Sequence, residues 1–216
     1  MVILFVGQNF ILSYISFKMI TTIIFDLSEV LIFGLIGIEK ELAPLVNLSE
    51  EIFLKQLWTD SFGELMKGKI SEDEYLDDIF EKNNWKADKE IFRKIIRKNF
   101  HNEVEGMIGL IEELNRNYKL ILLSDHAKEW IEYIDKIHPF LNLFDKKYFS
   151  FQTGEIKKEK RAFEFLLNGN KLLPAECVFI DDSPTNIKAA EEVGLKGVLF
   201  KSFDSLKENL FKSLTK

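Results

Sequence analysis

The sequence predicts an α/β fold in which a parallel β-sheet is covered by helices on both faces. Apolar runs of strand length recur along the chain, with helical periodicity between the later ones, and this alternation is typical of a buried parallel sheet. Residues 34–105 carry helix signals alone, and this stretch is too long for an ordinary strand-to-helix loop. We therefore expect a Rossmann-like core with an inserted, all-helical cap domain.

Composition fits this fold and limits the classes of partner. The 216 residues are 46% hydrophobic, enough to bury a sizeable core. A net charge of −6, with no dense Lys/Arg tract, argues against general nucleic-acid binding. The single cysteine, Cys177, rules out an internal disulfide and fits a reducing compartment. We expect a cytoplasmic protein with a small-molecule ligand.

The first 18 residues read as an extension that the fold does not need. They are apolar, but no basic residues precede them and no small-residue cleavage site follows. Gly7-Gln8-Asn9 interrupts the stretch, which is too short to span a bilayer. We expect the folded protein to begin near Met19 and to have no membrane partner, with a weak signal anchor as the alternative.

Strands and helices are predicted from the spacing of apolar residues and from helix-capping residues. The strands are Thr21–Phe25, Lys119–Leu123, Cys177–Ile180 and Gly197–Phe200, with a shorter strand or loop over Lys147–Phe151 that ends near Thr153–Glu155. In the insertion, helices are predicted at Glu50–Thr59, from a capping box at Ser71–Glu74 to about Glu81, and at Asp88–Phe100. The predicted domains are an extension at 1–18, a core of 19–33 and 106–216, and a cap of 34–105.

Asp26 follows the first predicted strand, and ligands of open α/β sheets bind beyond the carboxyl ends of the strands. A carboxylate there can attack phosphorus and divide one hard hydrolysis into two easier steps. The alternative is a structural Asp that caps the following turn.

Asp181 and Asp182 follow the strand Cys177–Ile180, and two adjacent acids repel each other unless a cation or donors neutralise them. Magnesium prefers a few carboxylates with water and phosphate oxygens, which suits an open strand end. One of the two could instead cap the helix that begins at Ser183-Pro184.

Ser124 follows another apolar strand, and its hydroxyl could donate to a phosphate with help from the next helix start. Lys157 could neutralise phosphate charge. Each is a weak signal alone, because serine is a common helix cap and most lysines are surface residues.

Taken together, these segments resemble the four motifs of the haloacid dehalogenase superfamily of phosphatases. The resemblance covers nearly all of residues 19–200, and the insertion resembles the helical cap of that family's first class. Within the superfamily, the chain is most similar to the sugar-1-phosphate phosphatase and epoxide-hydrolase N-domain-like branch. The matching segments are Ile23–Ile32, Ile121–Asp125, Gly154–Lys157 and Val178–Asn186.

The resemblance implies a fold, a cofactor and a role for each residue. Asp26 would be the nucleophile, and Mg²⁺ would be held by Asp26, the backbone carbonyl of Ser28, and Asp181, with Asp182 at a greater distance or through water. The phosphoryl group would be bound by Ser124 and Lys157, with Asp125 beside them in the substrate site. Asn186 would support the loop of the fourth motif.

Two positions depart from the family pattern. Ser28 stands where many family phosphatases have an Asp that acts as general acid and base, help typically worth about 10²–10⁴ in rate. A serine hydroxyl cannot supply that help efficiently, and the neighbouring Glu29 is not expected to replace it. Lys158 stands where many relatives have Pro, although the spacing from Gly154 favours Lys157 as the lysine that enters the site.

Three functions follow, of which a magnesium-dependent phosphatase of a small phosphomonoester is the first. Without the acid, we expect it to prefer sugar 1-phosphates or activated esters, whose leaving groups need less help. The second is a weakly active or inactive binding or regulatory protein, in which Ser28 marks a lost step. A metal-free dehalogenase is disfavoured, because Asp181 and Asp182 beside a nucleophilic carboxylate call for a cation.

The cap should set the substrate, and its pocket residues are less certain from sequence. Apolar residues at helical spacing usually form the core of a cap, although they could also line a pocket. Those considered are Trp58, Phe62, Met66 and Trp85. His126 either faces the site or begins a helix. The natural substrate and the oligomeric state stay open at this point.

Overall fold

The computed structural model describes residues 19–214, so the prediction made for residues 1–18 lies outside its range. A five-stranded, wholly parallel sheet with the order β3-β2-β1-β4-β5 forms its centre. The strands are β1 (Thr22–Phe25), β2 (Lys119–Ser124), β3 (Lys146–Phe149), β4 (Cys177–Asp181) and β5 (Lys196–Leu199). The predicted parallel α/β fold is confirmed.

Eleven α-helices are found within residues 19–214. They are α1 (Glu39–Leu42), α2 (Glu50–Leu57), α3 (Asp60–Met66), α4 (Glu72–Lys82), α5 (Lys89–Asn99), α6 (Met107–Leu114), α7 (Lys128–Ile137), α8 (Ser150–Thr153), α9 (Lys160–Asn170), α10 (Pro184–Glu192) and α11 (Phe203–Leu214). None of these helices combines the length and the apolar character needed to cross a membrane.

The sheet is buried on both faces because successive side chains of a strand point to opposite sides. Ile23 and Phe25 of β1 belong to one hydrophobic cluster, which also takes in α6, α7 and α11. Ile24 belongs to a second cluster, formed with α9 and α10. Four consecutive apolar or β-branched residues in β1 are therefore what a central strand of this sheet requires.

The insertion after β1 is helical, as predicted. The described residues 34–105 contain helices α1 to α5 and no strand, and a single bridge ties Ile32 to Glu103 at its ends. The capping box predicted at Ser71 and Glu74 is present at the start of α4. We propose that residues 34–105 form the cap and that residues 19–33 and 106–216 form the core.

Local details correct the predicted elements in two places. The helix expected over Glu50–Thr59 ends at Leu57, because Thr59 caps the next helix by accepting a hydrogen bond from the backbone N–H of Phe62. The strand or loop expected over Lys147–Phe151 stops at Phe149, where Ser150 begins the short helix α8.

A buried carboxylate ties the cap to the core. Glu72, at the start of α4, is 3% exposed and accepts two hydrogen bonds from the Arg97 guanidinium, at 2.9 and 2.6 Å. It also accepts one at 2.7 Å from the indole N–H of Trp130, on the core helix α7. Because Trp130 belongs to the core and Arg97 to the cap, Glu72 fixes their relative position.

We expect Glu72→Gln to lower the free energy of unfolding by roughly 2 kcal/mol. This is less than the loss for a fully buried pair, because Arg97 keeps some solvent contact. Urea unfolding of the wild type and the variant measures it. Glu51→Gln is the matched control, since its pair with Lys55 is exposed, and it should leave the midpoint unchanged. Equal midpoints for all three proteins would contradict a stabilising role for Glu72.

Candidate active site

The sheet register brings three of the predicted site residues to one edge. Phe25 of β1 pairs with Leu122 of β2 and with Ile180 of β4, and the three strands run in the same direction. Asp26 follows β1, Ser124 ends β2 and Asp181 ends β4, so these side chains meet where the strands stop. The meeting point is the carboxyl edge, where such sheets bind ligands.

Lys157 reaches this edge from the loop between α8 and α9. Its ammonium Nζ lies 2.5 Å from Oδ1 of Asp26 and 2.8 Å from Oδ2 of Asp181, and the side chain is almost completely buried. Burial alone would lower the pKa of Lys157, but the carboxylates of Asp181, Asp26 and Asp125 outweigh it and raise the pKa above its usual value. Lys157 is therefore a buried, permanent cation, while Lys158 is exposed.

Asp125 holds the Lys157 backbone in place. Its two carboxylate oxygens accept the backbone N–H of Lys157, at 3.2 and 3.1 Å. Burial raises the pKa of Asp125, and the Lys157 charge opposes that rise. This carboxylate is therefore placed to orient the lysine loop.

Asp26 is held through one of its two carboxylate oxygens. Oδ1 accepts the backbone N–H of Leu27 at 2.7 Å and faces the Lys157 ammonium, whereas no described residue donates to Oδ2. Burial raises the pKa of Asp26 well above its usual value, Lys157 lowers it, and Asp181 and Asp182 raise it again. A nearby cation would therefore favour the charged form that a nucleophile needs.

The two adjacent acids at the end of β4 have different surroundings. Asp181 is fully buried and accepts hydrogen bonds from the Ser183 backbone N–H at 2.8 Å and from the Asn186 side-chain amide at 3.1 and 3.2 Å. Asp182 is exposed at the cavity, and partial desolvation of its carboxyl by the surrounding protein, together with the Asp181 charge, raises its pKa. Oxygens of Asp26, Asp181 and Asp182 lie within 4.8 Å of one another.

The Ser124 hydroxyl makes no hydrogen bond to the described residues. Its side chain is 1% exposed, and its Oγ finds no hydrogen-bond partner among residues 19–214. A helix cap would satisfy a backbone N–H, yet the following helix α7 starts at Lys128 without a side-chain cap. An unpaired buried hydroxyl costs free energy, which a bound ligand atom at this point would recover.

Ser28 is joined to a histidine from another strand end. Its Oγ lies 2.7 Å from Nε2 of His126, which is 2% exposed. Gly34 makes room for this pair, because a Cβ at that position would lie 2.7 Å from the Ser28 Oγ. Glu29 is engaged by the insertion, because its Oε1 accepts the backbone N–H groups of Gly34 and Ile36.

His126 is buried in its neutral form. Burial lowers its pKa from 6.5 to about 3, and the Lys157 charge adds to the shift. The unfolded chain takes up a proton as the pH falls through 6.5, whereas the folded protein does not do so until about 3, so stability is lost as the pH falls below 6.5.

We expect the wild type to lose about 2 kcal/mol more unfolding free energy than His126→Gln between pH 7 and pH 5, in the presence of a chelator. Chemical unfolding at both pH values measures this difference. The site carboxylates with raised pKa act in the opposite direction, but they are common to both proteins and cancel in the comparison. Identical pH dependence in the two proteins would contradict a neutral His126.

A cavity of about 510 Å³ lies above the strand ends, between the core and the insertion. Trp58, Phe62 and Met66 line it, whereas Trp85 stacks on Phe53 in the interior of the insertion, with ring centroids 5.4 Å apart. Helical spacing alone could not separate these two groups. Phe100 and Trp130, which also line the cavity, escaped the sequence argument because they are distant in the chain.

The carboxyl edge of the sheet carries a carboxylate, a buried ammonium, an unpaired hydroxyl and an acidic cluster, in the chain order of the motifs described above. A comparison with family models agrees: the haloacid dehalogenase-like hydrolase model matches residues 20–194. The chain belongs to this family. It is therefore a haloacid dehalogenase-like hydrolase, and an enzyme by membership.

Curated relatives of this hydrolase include a phosphatase and a flavin mononucleotide hydrolase. D-ribitol-5-phosphate phosphatase of Bacteroides thetaiotaomicron is 27% identical over 192 residues, which cover 82% of this chain and 90% of the relative. Flavin mononucleotide hydrolase 1 of Arabidopsis thaliana is 26% identical over 147 residues, which cover 68% of this chain and 59% of the relative.

Solved structures agree with the hydrolase fold. A haloacid dehalogenase family enzyme from Bacteroides thetaiotaomicron superposes with a TM-score of 0.72 at 24% identity, over 89% of this chain and 99% of that one. The wild-type form of that enzyme with magnesium and inorganic phosphate superposes with a TM-score of 0.67 at 23% identity, over 85% of this chain and 96% of the other.

Proposed function

We propose that this hydrolase is a magnesium-dependent phosphatase, which removes the phosphoryl group of a small phosphomonoester through a phospho-aspartate at Asp26. The observation that carries the proposal is the position of the Lys157 ammonium between the carboxylates of Asp26 and Asp181, at the same sheet edge where the unpaired hydroxyl of Ser124 ends β2. The curated relative named as a D-ribitol-5-phosphate phosphatase supports the same reaction class.

The charges of the site fit a divalent cation. Carboxylates of Asp26, Asp125, Asp181 and Asp182 line or adjoin the cavity, and they exceed the ammonium groups available to balance them. A phosphate dianion would be repelled by such a site unless a cation were added. The oxygens of Asp26, Asp181 and Asp182 within 4.8 Å are the hard ligands that Mg²⁺ prefers. We propose these carboxylates, with the backbone carbonyl of Ser28, as its ligands.

Bound magnesium would supply positive charge that offsets the charge of the transferring phosphoryl group. In the first step, a carboxylate oxygen of Asp26 attacks phosphorus while the ester P–O bond breaks, and the alcohol oxygen departs with the electron pair. In the second step, water attacks the phosphorus of the acyl phosphate, and Asp26 and inorganic phosphate are released. Oδ1 is engaged by Leu27 and Lys157, so this contact orients the carboxylate for attack.

The neighbouring side chains bind and orient. The Lys157 ammonium neutralises phosphoryl charge and holds Asp26, and Ser124 donates its unpaired hydroxyl to a phosphoryl oxygen. Asp125 acts through Lys157, whose backbone N–H it binds. A carboxylate repels a phosphate dianion, so we assign Asp125 a positioning role in the substrate site. Asn186 fixes the Asp181 carboxylate in the same way.

The Ser28–His126 pair leaves a hydrogen-bond donor where the family acid is missing. Nδ1 of His126 has no partner among the described residues, and an unbonded buried N–H is costly, so the imidazole proton belongs on Nε2. His126 then donates to Ser28 Oγ, and the Ser28 hydroxyl hydrogen is free to bond the leaving oxygen. Such a bond assists departure less than proton transfer does. We therefore retain the preference for good leaving groups.

Phosphate release from acetyl phosphate tests the proposal, because its leaving group is acetate, which needs little help from a general acid. We expect release with Mg²⁺ and none with a chelator. The alternative is a weakly active or inactive binding or regulatory protein, which the loss of a carboxylate at Ser28 favours. Absence of release from folded protein at any magnesium concentration would decide for that alternative.

A further inference from the structure

The cavity above Asp26 has a polar side and an apolar side. Its floor is polar and comes from the strand-end loops, with Asp26, Ser28 and Lys157 among its residues. Its roof is apolar and comes mostly from the insertion, where Ile36 and Met66 accompany a group of rings. The phosphate belongs on the floor, so the alcohol part of a substrate must meet the roof.

Four rings form one continuous surface in this cavity, which we call the aromatic wall: Trp58, Phe62, Trp130 and Phe100. Trp58 and Phe62 meet edge to face with centroids 4.5 Å apart. Phe62 lies 6.4 Å from Trp130, and Trp130 lies 5.8 Å from Phe100. Edge-to-face and tilted packing of this kind accepts a further ring at favourable geometry.

The aromatic wall and the residues around it have few free hydrogen-bonding groups for a substrate hydroxyl. The indole N–H of Trp130 already donates to Glu72, and the backbone carbonyl of Phe100 already accepts from His138. The Ile36 backbone N–H is bound by Glu29. Among the described roof residues, the indole N–H of Trp58 is the side-chain donor that remains. A polyol would give up its hydrogen bonds to water here and find few replacements, which costs free energy.

Apolar surface is also left exposed at the cavity. Trp58 is 49% exposed and Ile36 is 48% exposed, although both are large apolar side chains. A bound ring would remove part of this surface from water, and that burial favours binding in proportion to the area covered. Exposed rings that are continuous with a buried wall indicate a ligand-binding surface.

We propose that the site takes phosphomonoesters whose alcohol carries an aromatic ring, and that the ring packs against the aromatic wall. This inference rests on the phosphatase function proposed above. It replaces the sugar phosphates expected from the sequence with a different substrate class. The reaction is the same two-step hydrolysis: water is consumed, and the aromatic alcohol and inorganic phosphate are formed.

A pair of esters with similar leaving groups tests this class. Benzyl phosphate and ribitol 5-phosphate both release a primary alcohol, so a difference between them reports binding of the alcohol rather than its ease of departure. We expect kcat/KM for benzyl phosphate to be at least tenfold higher. An equal or higher value for ribitol 5-phosphate would overturn the inference.

Removal of one ring tests the wall itself. Trp58→Ala should lower the ratio of the two kcat/KM values about tenfold, since Trp58 lies half exposed at the cavity. Phe165→Ala is the matched control, because Phe165 is similarly exposed, on α9, and is not among the cavity-lining residues. An unchanged ratio in Trp58→Ala, or an equal fall in both variants, would count against the wall.

Acetyl phosphate separates the two proposals, because it carries no ring and no polyol. Release from acetyl phosphate with no preference for benzyl phosphate would overturn the substrate class and leave the phosphatase intact. Absence of all release would overturn the phosphatase. Calorimetric titration of the same protein with benzyl phosphate and ribitol 5-phosphate would then test whether the aromatic wall binds a ring. Tighter binding of the aromatic ester would support this role, and equal binding would refute it.

Discussion

Asp26→Asn is expected to abolish phosphate release, with a fall in kcat of roughly 10³-fold or more. The amide of asparagine cannot form the acyl phosphate on which the proposed reaction depends. The fold should tolerate the change, because burial already raises the pKa of the Asp26 carboxyl and makes its charge costly. Release of inorganic phosphate from acetyl phosphate, with thermal unfolding measured on the same sample, checks both parts.

A matched aspartate separates the chemistry from a general loss of charge. Asp135→Asn removes an exposed carboxylate on α7 that pairs with Lys147, and it should release phosphate at the wild-type rate. Acid quenching during turnover, followed by mass spectrometry of the peptide that contains residue 26, should find the phosphoryl group on Asp26. Wild-type rates in Asp26→Asn would remove Asp26 from the role of nucleophile.

Lys157→Met should be the most destabilising of the changes considered. In the presence of a chelator, it leaves the buried carboxylates of Asp26 and Asp181 without their cation, and loss of one partner in such a cluster costs roughly 3–5 kcal/mol. The deficit should shrink at low pH, because burial raises the pKa of Asp26 and its carboxylate takes up a proton there. It should also shrink when Mg²⁺ is added. Urea unfolding at pH 7 and pH 5, with and without magnesium, measures these changes.

Catalysis should fall with the same substitution even where magnesium restores folding. Loss of a preorganised positive group at a transferring phosphoryl typically costs about 10²–10³ in kcat. For stability, Lys158→Met is the matched control, since Lys158 is exposed and adjacent in sequence, and the free energy of unfolding of this variant should stay close to that of the wild type. If Lys158→Met were the more damaging change, the lysine of the site would have been assigned to the wrong residue.

The sheet and the residues on its edge could be predicted because both follow from local patterns. Apolar runs alternate with helical segments, and parallel strands then place their carboxyl ends together. Asp26, Ser124 and Asp181 therefore lie on one edge in any fold of this class, and the strand order β2-β1-β4 makes them neighbours. Lys157 was located by motif spacing, and the structure puts its ammonium between two of them.

The ends of strands and helices were predicted less well where they depend on hydrogen bonds between residues that are distant in sequence. Ser150 donates to the backbone carbonyl of Met66 at 2.6 Å and accepts from the backbone N–H of His126 at 3.0 Å. The first contact joins the core to the insertion, the second joins two loops of the core, and both hold Ser150 at the start of α8. No pattern within residues 147–153 contains that information.

The sequence by itself therefore determined the parallel α/β core, the helical insertion and the strand-end residues. Only the tertiary structure decided that His126 meets Ser28, that Trp85 is interior, and that Trp58 faces the cavity. The physical reason is that helical periodicity states which face of a helix is apolar, but not what that face packs against. That choice depends on how the insertion lies over the sheet edge, and contacts between distant residues such as Glu72 and Trp130 hold it there.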